Sequence, residues 1–389
     1  MPKRAPKKSS APPAAAGRLD RMLGAHLAVG GGLVKAADRA AAVGAAGLQI
    51  FTGNPTGWAR RAELPKELPA FRARMKEHGF GPLAVHAAYL ANLAGPNPVF
   101  REKTVELLRH ELRVAPEYGA SFVNVHIGSH MGTGVAAGVG RVAMAVEKIL
   151  DGVPLRDDSA LLVLENSAGG GNGIGESLEE LIDIHEAMAA RGIDLDRVGY
   201  CIDSAHLWGA GVAMAGDVEI DRLVEQFDKK IGLEKLVMIH YNDSKAEHNS
   251  KRDLHQHIGG GNVGTRGLAA LIQHPRLAHV NYYLETPGME DGWDKLNIER
   301  SIQLAQGLLK LKPLPAEMTA TPKKAAPAKR PAVKAGVKAG VKAGSKAVPK
   351  RGAAPQKSSV ARTRTVKPKG KPPVKPKGKT TRATTKRRG

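Results

Sequence analysis

Apolar positions in the first three-quarters of the chain follow two alternating periods. Short runs with strand character occur at 22–28 (MLGAHLA), 47–52 (GLQIFT), 82–87 (PLAVHA), 121–128 (SFVNVHIG), 160–166 (ALLVLEN), 198–203 (VGYCID), 236–242 (LVMIHYN) and 280–286 (VNYYLET). Between them lie Ala-, Glu-, Leu- and Lys/Arg-rich stretches with helical spacing, such as 102–118 and 177–190. The period switches at clusters of Gly or Pro, which punctuate local structure. Eight strands, each followed by a helical segment, predict an α/β fold of the (β/α)8 TIM-barrel type over residues 19–314. A doubly wound open sheet is the alternative, but it requires no count of eight.

In such a barrel the reactive groups gather where strands end at their C-terminal side. Strands three to eight end, in order, at His86, His126, Glu165, Asp203, His240 and Glu285. One such residue alone reads as a helix cap or a histidine satisfied by a carbonyl. Six at one barrel mouth would bury ionisable groups at prohibitive cost unless a cation compensated them. Two fragments add donors. In CIDSAH, Asp203 and His206 are three apart where strand passes into helix, and in KRDLHQH, Asp253 and His255 are two apart and share one side of an extended loop. Imidazole and carboxylate donors without a usable thiolate suit Zn, Mn or Fe. Nine donors exceed what one ion needs and suit two or three. Clustered divalent ions are a means of phosphodiester cleavage, because they activate water and stabilise the leaving oxygen.

Charge changes the picture at the ends. The formal net charge is +22, yet residues 319–389 hold 23 Lys and Arg and no acid, and residues 1–18 hold 5. The middle carries the other 31 basic residues and all 37 acids, a net of −6. The tail repeats VKAG and then VKPKGK, has no aromatic residue, and cannot offset its ordering entropy by burial, so residues 315–389 are expected to be disordered. A block of positive charge reads as an arm for non-specific DNA binding, similar to linker-histone tails. Residues 1–18 read as a shorter, disordered version. Their prolines and lack of an apolar core argue against a targeting peptide. No apolar run is long enough to span a bilayer, so no membrane partner is expected. The single cysteine, Cys201, can form no internal disulfide, which suits a reducing compartment.

Eight segments taken together, GAHLAVGGGL, VHAAYLANL, VHIGSH, LENSAGGGNGIG, CIDSAH, HYNDSK, DLHQHIGGGNVG and YLETPG, resemble endonuclease IV, the abasic-site endonuclease family, in the family's order. The resemblance implies hydrolysis of double-stranded DNA 5′ to abasic sites, leaving a 3′-hydroxyl and a 5′-deoxyribose phosphate. It implies three Zn2+ ions per chain, with Mn2+ possible at one position. The first ion would take His86, His126 and Glu165. The second would share Glu165, the catalytic bridging residue, and take Asp203, His240 and Glu285. The third would take His206, Asp253 and His255. Tyr89 and Leu90 match the family's DNA-binding positions, and His26 is expected to hydrogen-bond near the site without being a ligand.

The loop TGNPTGW departs from the family. Thr56 and Gly57 stand where a long polar pair with an arginine is usual, so Arg60 or Arg61 is expected to substitute. Ile127 follows His126 where proline is common. Trp58, Trp208 and Trp293 read as packing residues, Lys245 and Lys251 as phosphate contacts or solvated charges, and Cys201 as an inert strand residue. The competing readings are a related nuclease of ultraviolet-damaged DNA, a metal-dependent sugar isomerase or epimerase on the same barrel, and a histone-like binding protein. A monomer is expected, in the bacterial cytoplasm with the nucleoid, or in the nucleus of a eukaryotic host.

Overall fold

The computed structural model describes residues 21–288 and 292–319. The expected basic segment at 1–18 and the tail beyond 319 lie outside the described residues. Strands β1 (Leu23–His26), β2 (Leu48–Ile50), β3 (Leu83–His86), β4 (Ala120–His126), β5 (Leu161–Glu165), β6 (Val198–Asp203) and β7 (Leu236–His240) precede a small antiparallel ribbon, β8 (Asp243–Ser244) with β9 (His255–Gln256). The last strand is β10 (Asn281–Leu284). The eight long strands close a parallel barrel in the order β1-β10-β7-β6-β5-β4-β3-β2. Seven of the eight expected runs contain one of them whole, and β4 begins one residue before its run.

Helices α1 (Leu33–Ala42), α2 (Leu68–Glu77), α3 (Pro98–Tyr118), α4 (Val135–Asp151) and α5 (Leu178–Ala190) follow the first five strands. Then come α6 (Ser204–Ala210), α7 (Asp217–Lys230), α8 (Gly264–Gln273), α9 (Asp294–Ala305) and a final turn, α10 (Ala316–Thr319). Local chemistry sets their ends. Asn97 caps α3 by accepting from the Val99 and Phe100 amides, and Gly119, at φ 75°, ends it in the left-handed region. Ser177 caps α5 through the Glu180 amide. Among the described residues no helix is long and apolar enough to cross a membrane.

Strand alternation decides what faces where. Val85, Val123, Leu162, Leu164, Ile202 and Ile239 belong to the large core shared with the helices. Ala84, Phe122, Val163, Cys201, Met238 and Tyr283 form a separate cluster inside the barrel. Gly24 makes room for it, since a Cβ there would come within 2.8 Å of the Tyr283 ring. Two residues further along the same strands stand His86, Asn124, Glu165, Asp203, His240 and Glu285, and a period of two puts them on the same inward face. An apolar plug thus floors a polar cup.

The described residues continue past 314 into α10. Arg300 Nη1 donates to Lys312 O at 2.6 Å, and Met318 is buried.

Candidate metal centre

The strand ends converge into three groups of donor atoms, each group with all its atoms within 4.8 Å of one another: His86, His126 and Glu165; Glu165, Asp203, His240 and Glu285; Asp203, His206 and His255. Glu165, fully buried, stands between the first two. Its Oε2 lies 3.5 Å from His86 Nε2 and 3.4 Å from His126 Nε2, while its Oε1 lies 3.2 Å from His240 Nδ1. The third group forms because Asp203 caps α6, accepting from the His206 amide at 2.9 Å, which turns that histidine back to the mouth. Asp253 reaches His206 Nε2 at 3.1 Å with one oxygen and His255 Nε2 at 3.2 Å with the other. All nine expected residues therefore meet. Asp203 also approaches the third group, with Oδ2 3.4 Å from His255 Nε2.

Hydrogen bonds around the cup decide which atoms are free. Nδ1 of His86, His206 and His255 donates to the carbonyls of Ala87, Asn166 and Glu285 at 2.7, 3.0 and 2.9 Å. Each of these rings thus presents Nε2 inward, since the neutral ring carries its proton on the bonded nitrogen. His240 is reversed, with Nε2 3.0 Å from Gln49 Oε1 and Nδ1 inward. Three amides hold the carboxylates. Asn124 donates to Glu165 Oε2 at 2.6 Å, Asn242 to Asp203 Oδ2 at 2.7 Å, and Gln49 to Glu285 Oε1 at 2.6 Å. His26 Nδ1 donates to the same Glu285 oxygen at 2.8 Å. Among the nine candidate ligands, His86 Nε2, His240 Nδ1, His255 Nε2 and Glu165 Oε1 are left buried and without a hydrogen-bond partner. Orphaned nitrogens and an orphaned carboxylate oxygen that face one another fit a cation between them.

The charges agree. Burial pushes the Glu165 carboxyl up, but His126, His240 and His86 outweigh it and hold the group well below the usual range. Glu285 and Asp253 are depressed in the same way against burial, Glu285 chiefly by His240 and Asp253 chiefly by its bonds to His206 and His255. Burial alone would lower His255, yet Asp203 and Asp253 raise it to about 9. The cup holds ionised carboxylates that demand positive charge, and protons on histidine supply it where metal does not.

Above the cup opens a cavity of about 490 Å3 lined by Tyr89, Leu90, His126, His206, Asp253 and small residues of the β5–α5 loop. Tyr89 and Leu90 are exposed at its rim, and the Tyr89 amide donates to Pro55 O at 2.9 Å, tying the loops after β2 and β3 together. Burial and nearby carboxylates push the Tyr89 phenol up to about 12, so it stays protonated.

The structure corrects the expectation for Arg60. Its Nε lies 2.9 Å from Glu111 Oε1 of α3, its Nη1 donates to Gly57 O and Ala59 O, and its side chain is only 10% exposed. A buried carboxylate at the loop's base has taken the guanidinium, so Arg60 braces the loop and cannot project from it. Arg61 remains exposed. Lys251 is paired with Glu176 at 2.9 Å. Trp58 stacks on Phe100, Trp208 donates to Ala246 O, and the Cys201 thiol is pushed up to about 12 by burial. The amides Gln49, Asn124 and Asn242 were missed by the sequence reading. Their signal was a polar residue on the inward face of an apolar strand, as Asn124 is two before His126.

A closed parallel barrel with three adjoining donor groups at its mouth defines a TIM-barrel enzyme of the metal-dependent kind. The family model described as Xylose isomerase-like TIM barrel matches residues 37–310. The probable endonuclease 4 of Halothermothrix orenii is 38% identical over 265 residues, covering 68% of this chain and 93% of the relative. That of Natranaerobius thermophilus is 36% identical, covering 72% and 95%. The crystal structure of endonuclease IV from Thermus thermophilus superposes with a TM-score of 0.62 at 32% identity, covering 72% of this chain and 98% of that one. The chain belongs to the endonuclease IV family. It is a DNA-repair nuclease and a hydrolase.

Proposed function

We propose that the protein hydrolyses the phosphodiester 5′ to an abasic residue in double-stranded DNA, leaving a 3′-hydroxyl and a 5′-deoxyribose phosphate, with three zinc ions in the cup. The observation that carries this reading is Glu165, whose two oxygens face different donor groups, with His86 Nε2 and His240 Nδ1 beside them buried and without hydrogen-bond partners. His86, His126 and Glu165 would hold one ion; Glu165, Asp203, His240 and Glu285 a second; His206, Asp253 and His255 a third. Manganese suits the same donors at one position. Ions so held lower the pKa of water and offset charge on phosphate oxygens.

The chain's own residues do the rest. Glu165, ionised and shared by the first two donor groups, would hold the attacking water between them and offset its charge. Gln49 fixes Oε1 of Glu285 and leaves Oε2 to the centre, while Asn124 and Asn242 hold Glu165 Oε2 and Asp203 Oδ2 in place beside the histidines, so little reorganisation is needed during reaction. Tyr89 and Leu90 present an apolar edge at the cavity mouth, suited to the space that a missing base leaves in the helix. Among the described residues no lysine lines the cavity, which favours hydrolysis over elimination through an imine. The basic tail would add non-specific DNA contacts to a monomeric enzyme working on cytoplasmic DNA.

The test uses an end-labelled duplex carrying one tetrahydrofuran residue, an abasic analogue without the aldehyde that imine chemistry requires. Cleavage to a 3′-hydroxyl and a 5′-sugar phosphate is expected. An intact analogue, with natural abasic sites cut to a 3′ unsaturated aldehyde, would rule hydrolysis out.

A further inference from the structure

Gln49 lies in β2, fully buried, and uses both ends of its amide. Its Nε2 is 2.6 Å from Glu285 Oε1 and its Oε1 is 3.0 Å from His240 Nε2. The orientation is forced, because an ionised carboxylate only accepts and the amide nitrogen must therefore face Glu285. The carbonyl then requires a proton on His240 Nε2. The lone pair of the neutral ring falls to Nδ1, which lies 3.3 Å from Glu285 Oε2 and 3.2 Å from Glu165 Oε1. His86, His206 and His255 have the opposite arrangement, each fixed by a backbone carbonyl that the fold itself supplies. His240 takes its orientation from a side chain. Glu285 Oε1 receives bonds from both Gln49 and His26, so Oε2 is the oxygen that stays available.

We propose that Gln49 is a positioning residue for the second donor group, selecting the Nδ1-donor form of His240 and presenting Oε2 of Glu285. The inference rests on the zinc reading above. It makes one ion of the three depend on a residue that is not itself a ligand.

The experiment compares zinc-loaded, full-length wild type with Gln49→Leu, Gln49→Met and Gln49→Glu. Three quantities are measured: zinc per chain, the rate of zinc transfer to a chromophoric chelator, and the 15N spectrum of labelled histidine rings. In wild type, His240 should show a metal-bound Nδ1 and a protonated Nε2. Gln49→Leu should release one ion about 10–100-fold more readily, the usual scale for loss of such a partner. The other two ions should be unchanged and the His240 signature lost. Gln49→Met, unbranched and closer to glutamine in shape, should behave alike and serves if the leucine variant does not fold. Gln49→Glu keeps an acceptor for His240 Nε2–H and should retain the His240 signature. A leucine or methionine variant with wild-type release of all three ions and an unchanged His240 spectrum would overturn this inference alone. Wild-type protein that takes up no zinc would overturn the zinc reading and this inference with it.

Discussion

Asn124 Nδ2 donates to Glu165 Oε2 at 2.6 Å, one buried side chain holding another across the β4–β5 seam. The bond fixes the roll of the carboxylate, so that one oxygen serves His86 and His126 while the other faces His240. Glu165→Gln should therefore be worse than the loss of a charge. Asn124 can donate only to an oxygen, so the new amide nitrogen would point at His240 Nδ1, a donor where a ligand is needed. Cleavage should fall by ~10²-fold or more, taking the upper range for disturbed metal sites as a floor. The fold and most DNA affinity should remain. Turnover near wild type would mean that Glu165 does not bridge.

Metal content is the second expectation. Purified protein should carry close to three transition-metal ions, mostly zinc, and lose activity on prolonged chelation, slowly because most of the donors are buried. Elemental analysis decides between this and a centre with one ion.

The ion pair between Arg60 and Glu111 supports a third prediction. Arg60→Met would leave Glu111, 2% exposed, with Thr52 as its remaining side-chain partner. Breaking a buried pair from one side costs roughly 3–5 kcal/mol, and urea denaturation should show a loss of that order at neutral pH. The pH dependence has a definite sign. Burial already raises the Glu111 carboxyl above its ordinary value, and removing the guanidinium raises it further. A raised carboxyl lets the native state keep a proton that the unfolded chain has shed. The penalty is thus absent below the ordinary carboxylate range and grows as pH rises through the raised value. A loss equal at pH 4 and pH 8 would contradict the mechanism.

The fourth concerns the tail. Deleting residues 320–389 keeps buried Met318 and removes 23 positive charges. Each Lys or Arg that neutralises a phosphate releases counterion. With about 6 to 10 contacts, affinity falls ~10³–10⁵-fold between 50 and 200 mM salt. The truncated protein should show a shallower salt slope, weaker binding to undamaged DNA, and nearly unchanged single-turnover cleavage at saturating enzyme. Equal slopes for the two proteins would show that the tail does not engage DNA.

The sequence by itself determined the barrel and marked the nine candidate donors. Both depend on short-range rules: a strand period of two, a switch to helical spacing at Gly and Pro, and reactive residues placed where strands end. His86, His126, Glu165, Asp203 and His240 each close an apolar run, and that position is visible in one dimension. Tertiary structure alone decided how the donors are shared and held. Asp203 meets His255 because the β8–β9 ribbon packs beside α6, an approach between residues 52 apart in the chain. Arg60 is lost to Glu111, 51 positions away on another element. Gln49 reaches His240 across 191 positions through barrel closure. Local patterns report which face a side chain takes. Which partner it meets across the barrel is set by closure and by the loops, where hydrogen-bond geometry, not periodicity, chooses the pair.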